Sequence, residues 1–223
     1  MIAVVDTFVA PPCFDDIDIL FQDEAILLIN KPTGLLSLSG KNPLNKDSVH
    51  YRLVKDYPTA LMVHRLDFGT SGLMVIALNK KVNALLTKQF QARTVVKQYT
   101  SMLNGHVAED EGEIHFPIAK DPAYFPRQKI CSQTGKSAQS YYQVLERLTS
   151  PLRTRVCFTP ITGRTHQLRI HSHAMGHSIL GCDLYGSEKT HSMASRLLLH
   201  ASRLEFEHPL TGERMVGVCE ADF

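Results

Sequence analysis

One loop in the first third of the chain combines a carboxylate, a guanidinium and two glycines. It reads His64-Arg65-Leu66-Asp67-Phe68-Gly69-Thr70-Ser71-Gly72. The glycines permit backbone conformations that are closed to other residues, so the loop can turn tightly and a ligand can approach it. Arg65 lies two residues from Asp67, and a nearby guanidinium favours an ionised carboxylate that can act as nucleophile or general base. The alternative is a turn in which Asp67 caps a backbone N–H group and Arg65 faces solvent.

A second glycine turn runs into the start of a predicted helix. It reads Pro160-Ile161-Thr162-Gly163-Arg164-Thr165-His166-Gln167-Leu168-Arg169-Ile170-His171. Arg164 lies near the helix N-terminus, and both the helix dipole and a guanidinium favour a phosphate or a carboxylate. Arg164 can therefore hold a phosphate group of a ligand or the carboxylate of Asp67.

Three histidines in the same region, His166, His171 and His173, raise the possibility of a metal site. Positions 166 and 171 are five residues apart, which directs them to different faces of a helix. Neither an acidic nor a cysteine ligand stands nearby, and the chain has no H-E-x-x-H motif. We therefore expect no metal site.

Two further candidates are weak when each is taken alone. Tyr99 follows Lys97 and Gln98 on a predicted strand, where a tyrosine is commonly a half-buried sheet residue. Lys31 is the one cation in a strand-to-loop transition over residues 29–35.

The elements that must position these residues are mainly strands. The segment LMVHRLDFGTSGLMVIAL predicts strand, exposed loop, strand. Ser48 predicts the start of one helix and Asn79 the start of another, and a third helix is expected to end at Gly176. Further strands are predicted at 113–119, 137–146, 153–159, 197–206 and 213–219. This pattern predicts an α+β protein with a mixed, mostly antiparallel central sheet and flanking helices, in a single domain over residues 1–223.

Composition is ordinary for a globular protein, with 43% apolar and 21% charged residues. The five cysteines are scattered and form no C-x-x-C pair, which favours reduced thiols in a cytosolic protein. No apolar run approaches the roughly 20 residues that a membrane span needs, and the N-terminus lacks the basic start of a signal peptide. We expect a cytoplasmic protein, and nothing in the sequence suggests more than a monomer.

Positive charge is concentrated in one stretch of the chain. From Arg127 to His177 there are eight Lys or Arg residues and a single acid, Glu146. Such a block can contact several phosphates of a nucleic acid if it folds onto one face. The alternative is a solvated basic surface without a partner.

Five motifs, taken in order, resemble the RluA family of pseudouridine synthases. They are INKPTGLL, HRLDFGTSGLMVIA, KQY, ITGRTHQLRIH and LLLHASRLEFEHP. The resemblance runs from about residue 17 to the C-terminus and implies the pseudouridine synthase fold, without a separate N-terminal RNA-binding domain. It also implies an enzyme that isomerises uridine to pseudouridine in structured RNA, with no metal or nucleotide cofactor. Segments such as DSVHYRLVKDYPTALMVHRLD favour the member that acts on 23S ribosomal RNA and certain transfer RNAs.

The resemblance implies three catalytic residues. Asp67 would be the catalytic aspartate, Arg164 would pair with it and orient it, and Tyr99 would stack on the target base or take a proton. The carboxylate could attack the anomeric carbon of the sugar, add to carbon 6 of uracil, or stabilise positive charge while a base removes the 2′ proton. The sequence leaves these three mechanisms open.

Five more residues are implied to contact the substrate. Arg65 would enter the RNA stack and fill the space left by the flipped uridine, while Leu168 and Ile170 would lie near the base. His64 and Arg169, neighbours in the same motifs, complete the substrate-binding set.

The chain departs from the family pattern G-H-P-I-x-G-D at GHSILGCDLYG. Ser178 replaces the proline and Cys182 replaces the aspartate, which leaves open whether Asp183 makes the contacts of the missing acid. Two other classes of function also stay open. One is a non-catalytic RNA-binding protein, and the other is a hydrolase that uses either a metal on the histidines or Asp67 as an N-glycosidase.

Overall fold

The computed structural model describes residues 8–223. The first seven residues, which belong to the segment that lacks a signal-peptide pattern, lie outside the described residues. In chain order the elements are β1 Asp18–Gln22, β2 Ile26–Lys31, α1 Val49–Leu53, β3 Leu61–Met62, β4 Ser71–Ala77, α2 Lys80–Ala92, β5 Val96–Asn104, β6 Glu111–Ile114, β7 Ile118–Lys120, a 3-10 turn Pro122–Tyr124, β8 Gln128–Ile130, β9 Ser140–Thr149, β10 Leu152–Pro160, α3 Gln167–Ala174, α4 Glu188–Ser192, β11 Leu199–Glu207 and β12 Arg214–Val218.

The described chain forms two compact units. The first comprises residues 8–96 and 201–220, and the second comprises residues 97–200 and 221–223. The sequence-based expectation of a single domain over residues 1–223 stays a prediction.

The first unit is built on an antiparallel pair of buried strands, β2 and β4. All seven residues of β4 are buried, as expected for a continuous apolar run inside a sheet. Their register places Lys31, the last residue of β2, opposite Gly72 near the start of β4. The loop that follows β2 and the loop that precedes β4 therefore emerge at the same end of the pair.

Gly72 is required by its surroundings. Its φ is +108°, and an added Cβ would lie 2.4 Å from the carbonyl oxygen and 2.6 Å from the nitrogen of Ala201. Because both atoms belong to the backbone, only glycine allows the start of β4 to approach Ala201 this closely.

The second unit contains the strands β5, β10, β9 and β6 in that order, together with the separate hairpin β7–β8. Burial alternates along β10, with Val156 and Phe158 buried and Arg153 and Arg155 half-exposed on the other face. Phe158 lies opposite Tyr99 of β5, so Tyr99 is on the buried face. Arg153 and Arg155 are directed away from it.

These elements confirm the predicted α+β class with a mostly antiparallel sheet. The predicted helix starts are also confirmed, because Ser48 Oγ accepts the Tyr51 N–H at 3.1 Å and Asn79 Oδ1 accepts the Val82 N–H at 2.9 Å. Within the basic block from Arg127 to His177, the two arginines of β10 lie on the side opposite Tyr99.

Two expectations drawn from the composition concern disulfide bonds and membrane spans. The described part of the chain contains no disulfide bond. Within it, none of the helices combines the length and the apolar character that crossing a bilayer requires.

Candidate active site

A buried lysine joins the two loops at the end of the β2–β4 pair. We call residues 31–37 the Lys31 loop and residues 63–70 the Asp67 loop. The side chain of Lys31 is 0% exposed. Its ammonium donates to the carbonyl oxygens of Pro32 and Leu35, each at 2.8 Å, and of Phe68 at 3.3 Å. Three carbonyl acceptors match the three protons of an ammonium group, so the cation is fully hydrogen-bonded.

Burial sets the electrostatics of Lys31. Loss of solvation lowers the pKa of Lys31 to about 7, while electrostatic interactions with Cys13 and Asp67 oppose this shift by favouring the ammonium form. Asp67 thus lies within electrostatic reach of a buried cation in its own unit. The three carbonyl contacts strengthen the same preference for the charged form.

Hydrogen bonds hold the backbone around Asp67 on both sides. Ser37 Oγ lies 3.1 Å from the nitrogen and 2.8 Å from the carbonyl oxygen of Leu66. On the other side, the Gly34 N–H donates to the Phe68 carbonyl at 3.0 Å, and Thr33 Oγ1 donates to the Gly69 carbonyl at 2.8 Å. The segment that carries Asp67 is therefore fixed before any ligand arrives.

Side chains in the Asp67 loop differ in how far they reach into solvent. Asp67 is half-buried and Arg65 is exposed. His64 stacks on Phe90, with ring centroids 4.7 Å apart, and its Nε2 accepts the Val75 N–H at 3.1 Å. Because an accepting nitrogen carries no proton, the neutral ring has its proton on Nδ1. His64 anchors the base of the loop to β4, and its contact with substrate stays a prediction.

In the second unit, three predicted residues share one environment. Leu168 and Ile170 belong to the buried hydrophobic cluster of this unit, and the half-buried Tyr99 packs against that cluster. The structure therefore brings together the predicted stacking tyrosine and the predicted apolar neighbours, all within the second unit.

Arg164 precedes α3 and is anchored at two points. Its Nε donates to the Ser137 carbonyl at 3.0 Å, and its backbone N–H donates to Gln167 Oε1 at 2.9 Å. Gln167 also donates from Nε2 to Ser140 Oγ at 2.9 Å. Gln167 and Ser140 are both buried, so the turn that presents Arg164 rests on buried hydrogen bonds.

Arg169 lies in α3 and is buried, with its side chain 5% exposed. Its Nε and Nη2 both lie 3.4 Å from Cys182 Sγ, and Nη2 also donates to the Asp183 carboxylate. This arrangement lies at the departure GHSILGCDLYG. Cys182 stands beside the arginine without a carboxylate, and the adjacent Asp183 supplies the negative charge.

The histidines near α3 each have a separate partner. His166 Nδ1 lies 2.9 Å from the Tyr185 hydroxyl, His171 Nδ1 lies 3.1 Å from Ser140 Oγ, and His173 Nδ1 lies 2.9 Å from Ser178 Oγ. Burial lowers the pKa of His171, which favours its neutral ring. Across residues 8–223 no group of three His, Cys, Asp or Glu residues is arranged to hold a metal ion.

The sequence analysis named Lys31 only as a weak candidate and gave no role to Ser37 or Thr33. All three position the Asp67 loop. Their contacts join residues that are 37, 29 and 36 positions apart. The available signal was a lysine and a serine placed among apolar residues, since a buried polar group must find a partner.

Residues 25–174 match the family model of RNA pseudouridylate synthases. The chain belongs to this family. Its members isomerise uridine to pseudouridine in RNA, so the predicted resemblance and the predicted class of enzyme are confirmed.

Other RNA pseudouridylate synthases resemble the chain over nearly its full length. It is 50% identical over 205 residues to the dual-specificity RNA pseudouridine synthase RluA of Yersinia pestis, covering 92% of this chain and 99% of that protein. It is 46% identical over 213 residues to the protein of the same name from Escherichia coli (strain K12), covering 96% and 97%.

Solved structures carry the same fold. Human RNA pseudouridylate synthase domain containing 1 has a TM-score of 0.79 at 27% identity, covering 96% of this chain and 86% of that one. Human RNA pseudouridylate synthase domain containing 4 has a TM-score of 0.69 at 25% identity, covering 91% and 87%.

Proposed function

We propose that this pseudouridine synthase modifies uridines in both 23S ribosomal RNA and transfer RNA, with Asp67 as its catalytic carboxylate. Support for two RNA classes comes from relatives described as dual-specificity enzymes, which match 92% and 96% of this chain. The single observation that carries the role of Asp67 is the fixation of its loop. Leu66 and Phe68 are both hydrogen-bonded to the Lys31 loop, while the Asp67 side chain between them stays half-exposed.

A fixed and ionised carboxylate suits the reaction. Pseudouridine formation breaks the glycosidic N–C bond, rotates uracil and rejoins it through carbon 5. Asp67 would attack the anomeric carbon, as in retaining glycosidases, or add to carbon 6, or stabilise positive charge while the 2′ proton leaves. In each of these, the buried side chain of Lys31 lies within electrostatic reach of Asp67.

The remaining catalytic roles are assigned to the second unit. Tyr99 would stack on the target base or accept a proton, and stacking of this kind contributes about 1–3 kcal/mol per base. Arg164 would pair with Asp67, as the sequence predicts. Arg169 is a second candidate for that pairing, because its guanidinium is buried and charge interactions strengthen where water is excluded.

Substitution of each arginine distinguishes the two candidates. Arg164→Lys and Arg169→Lys both keep one positive charge but lose the planar guanidinium. We expect the variant of the true partner to lower kcat by at least about tenfold. A normal kcat in Arg164→Lys together with a low kcat in Arg169→Lys would transfer the role to Arg169.

The substrate must be flipped out of its stack before Asp67 can reach it, which costs a few kcal/mol. Arg65 is exposed in the same loop and would fill the vacated space. His64, Leu168, Ile170 and Arg169 keep their proposed places in substrate binding. Since RNA is bound largely through backbone and shape, the exposed cations of the chain would contact the surrounding phosphates.

The proposal is tested with RNA that carries tritium at carbon 5 of uridine. We expect the enzyme to release tritium from both a 23S ribosomal RNA fragment and a transfer RNA, with no free uracil and no sensitivity to a chelator. Release from only one RNA would overturn dual specificity. Free uracil would indicate an N-glycosidase, and chelator sensitivity would indicate a metal enzyme.

We also propose that the enzyme acts in the cytoplasm as a monomer and needs no cofactor. The scattered cysteines and the lack of a membrane-length apolar run in the sequence support the first part. Sedimentation of the purified protein tests the second, since a mass near 25.0 kDa is expected for one chain, and a doubled mass would contradict it.

A further inference from the structure

Tyr185 connects two elements of the second unit through its hydroxyl group. Its side chain is buried, with the residue 3% exposed. The hydroxyl oxygen lies 2.7 Å from the backbone nitrogen of Gln128, the first residue of β8, and 2.9 Å from Nδ1 of His166, which precedes α3. One hydroxyl therefore bridges the β7–β8 hairpin and the start of α3.

The positions of the protons in this bridge follow from the groups involved. The Gln128 N–H can only donate, so the Tyr185 oxygen accepts there. Between Tyr185 and His166 the hydroxyl donates when Nδ1 carries no proton and accepts when Nδ1 is protonated. In either case one hydroxyl oxygen joins the Gln128 nitrogen to His166 Nδ1.

His166 has an unusual backbone conformation at the point where the bridge ends. Its φ is 56° and its ψ is 20°, in the left-handed region that a non-glycine residue seldom occupies. It makes no side-chain capping hydrogen bond to α3. Its carbonyl nevertheless accepts the Ile170 N–H at 3.0 Å, so the conformation of His166 sets the first turn of the helix. A strained conformation persists only where its surroundings hold it.

The ring of Tyr185 makes a second connection between the same elements. The guanidinium carbon of Arg127, beside the hairpin strand β8, lies 5.5 Å from the ring centroid. That of Arg169, in the first turn of α3, lies 5.6 Å from the same centroid. Both distances are typical of cation–π contacts. The hydroxyl and the ring of Tyr185 therefore both contact the start of α3. This helix begins at Gln167, three residues after Arg164.

We propose that Tyr185 is a positioning residue for uridine isomerisation. Its hydroxyl holds His166 in the left-handed conformation and so fixes the first turn of α3, which presents Arg164 and Arg169. The inference rests on the proposed function, because it concerns the arginines assigned to that reaction. Tyr185 itself touches no reacting atom in this account.

Tyr185→Phe tests this inference because it removes only the hydroxyl. Tyr57→Phe is the matched control, since Tyr57 donates one hydroxyl hydrogen bond to Gln22 in the other unit at 2.7 Å. We expect Tyr185→Phe to lower kcat for tritium release about tenfold with KM for RNA unchanged, while Tyr57→Phe matches the wild type. Equal kcat values for the two variants would overturn the inference.

Replacement of His166 separates positioning from general stability. Glycine adopts a positive φ without penalty, so in a His166→Gly background the hydroxyl has no strained residue to hold. We expect Tyr185→Phe to change kcat less than twofold in that background, a coupling that a double-mutant cycle measures. The same tenfold loss in both backgrounds would overturn the proposed role of His166.

Hydrogen exchange provides a readout that does not depend on the reaction. We expect the Ile170 amide, which is bonded to the His166 carbonyl, to exchange faster in Tyr185→Phe than in Tyr57→Phe. Equal exchange would overturn the inference whatever the activity. Absence of tritium release by the wild type would instead overturn the proposed function.

Discussion

The ammonium nitrogen of Lys31 lies 3.3 Å from the carbonyl oxygen of Phe68. This bond crosses between two loops that are far apart in sequence and meet at one end of the β2–β4 pair. Phe68 is the chain neighbour of Asp67, so the contact fixes the backbone of the proposed catalytic residue. The same lysine is within electrostatic reach of Asp67. One buried side chain thus both fixes the backbone beside Asp67 and interacts electrostatically with it.

Removal of the Lys31 ammonium should destabilise the fold. Lys31→Met keeps the length of the side chain but removes the donor to the Pro32 and Leu35 carbonyls, and a buried unsatisfied polar group costs about 1–3 kcal/mol. The Phe68 carbonyl keeps its hydrogen bond from the Gly34 N–H. We expect the free energy of unfolding in urea to fall by about 3 kcal/mol or more. The exposed Lys41 provides the control, and a Lys31→Met variant as stable as Lys41→Met would contradict this account.

Asp23 should stabilise the fold in a pH-dependent way. Burial opposes its ionised form, but the N–H groups of Ile26 and Ala25 together with His208 outweigh burial and lower the pKa of Asp23 below its usual 3.8. A lowered pKa gives stability that is present above pH 3.8 and is lost as the pH falls through the folded value. We expect Asp23→Asn to cost about 1 kcal/mol at pH 7.

The pH dependence of the free energy of unfolding tests whether the contribution of Asp23 is lost on acidification. The difference between wild type and Asp23→Asn should shrink as the pH falls below 3.8. The exposed Asp56 serves as the control, since Asp56→Asn should leave the free energy of unfolding unchanged at both neutral and acidic pH. A difference for Asp23 that grows on acidification would show that its carboxylate is not stabilised by the fold.

Gly72 should tolerate no side chain. Alanine there would require both a disfavoured positive φ and a Cβ 2.4 Å from the Ala201 carbonyl oxygen. We expect Gly72→Ala to lower the free energy of unfolding by more than about 3 kcal/mol. Gly212 has a φ of +75° and open space around its Cα. Gly212→Ala should therefore lower the free energy of unfolding only by the cost of the positive φ, about 1–2 kcal/mol. Similar losses at both positions would rule out the steric explanation.

Several elements could be predicted from the sequence because their signals are local. Ser48 and Asn79 both cap the helices that they predict, and the alternating or continuous apolar runs became strands. The predicted strand at 113–119 is instead two strands, β6 and β7, and the short elements β8 and α4 were missed. Three to five residues give too few periods to reveal a pattern.

The candidate site was predictable only in part, for a physical reason. The motifs around Asp67, Tyr99 and Arg164 are contiguous, so they are visible in sequence. The contacts that fix them are not local, as the Lys31–Phe68 bond spans 37 positions. Residues adjacent in sequence alternate faces on a strand, so Arg153 and Arg155 of the basic block lie on the side opposite Tyr99. That the block as a whole contacts phosphates stays a prediction.

Arg65 should act on base flipping and leave stability unchanged. Its side chain is exposed, so Arg65→Ala should unfold like the wild type. We expect kcat/KM on a folded RNA stem-loop to fall about tenfold or more, because nothing then fills the stack after the uridine leaves. On a single-stranded RNA with the same sequence the loss should be smaller. Equal losses on both RNAs would remove Arg65 from this role, with the exposed Lys88→Ala as control.

The most direct test of the account is tritium release by Asp67→Asn, a change that keeps shape and removes charge. RNA labelled at carbon 5 of uridine is incubated with the wild type, Asp67→Asn and the control Asp56→Asn, and RNA binding and thermal stability are measured in parallel. We predict release by the wild type and the control, and none by Asp67→Asn, although that variant still folds and binds RNA. Release by Asp67→Asn at the wild-type rate would contradict the central claim.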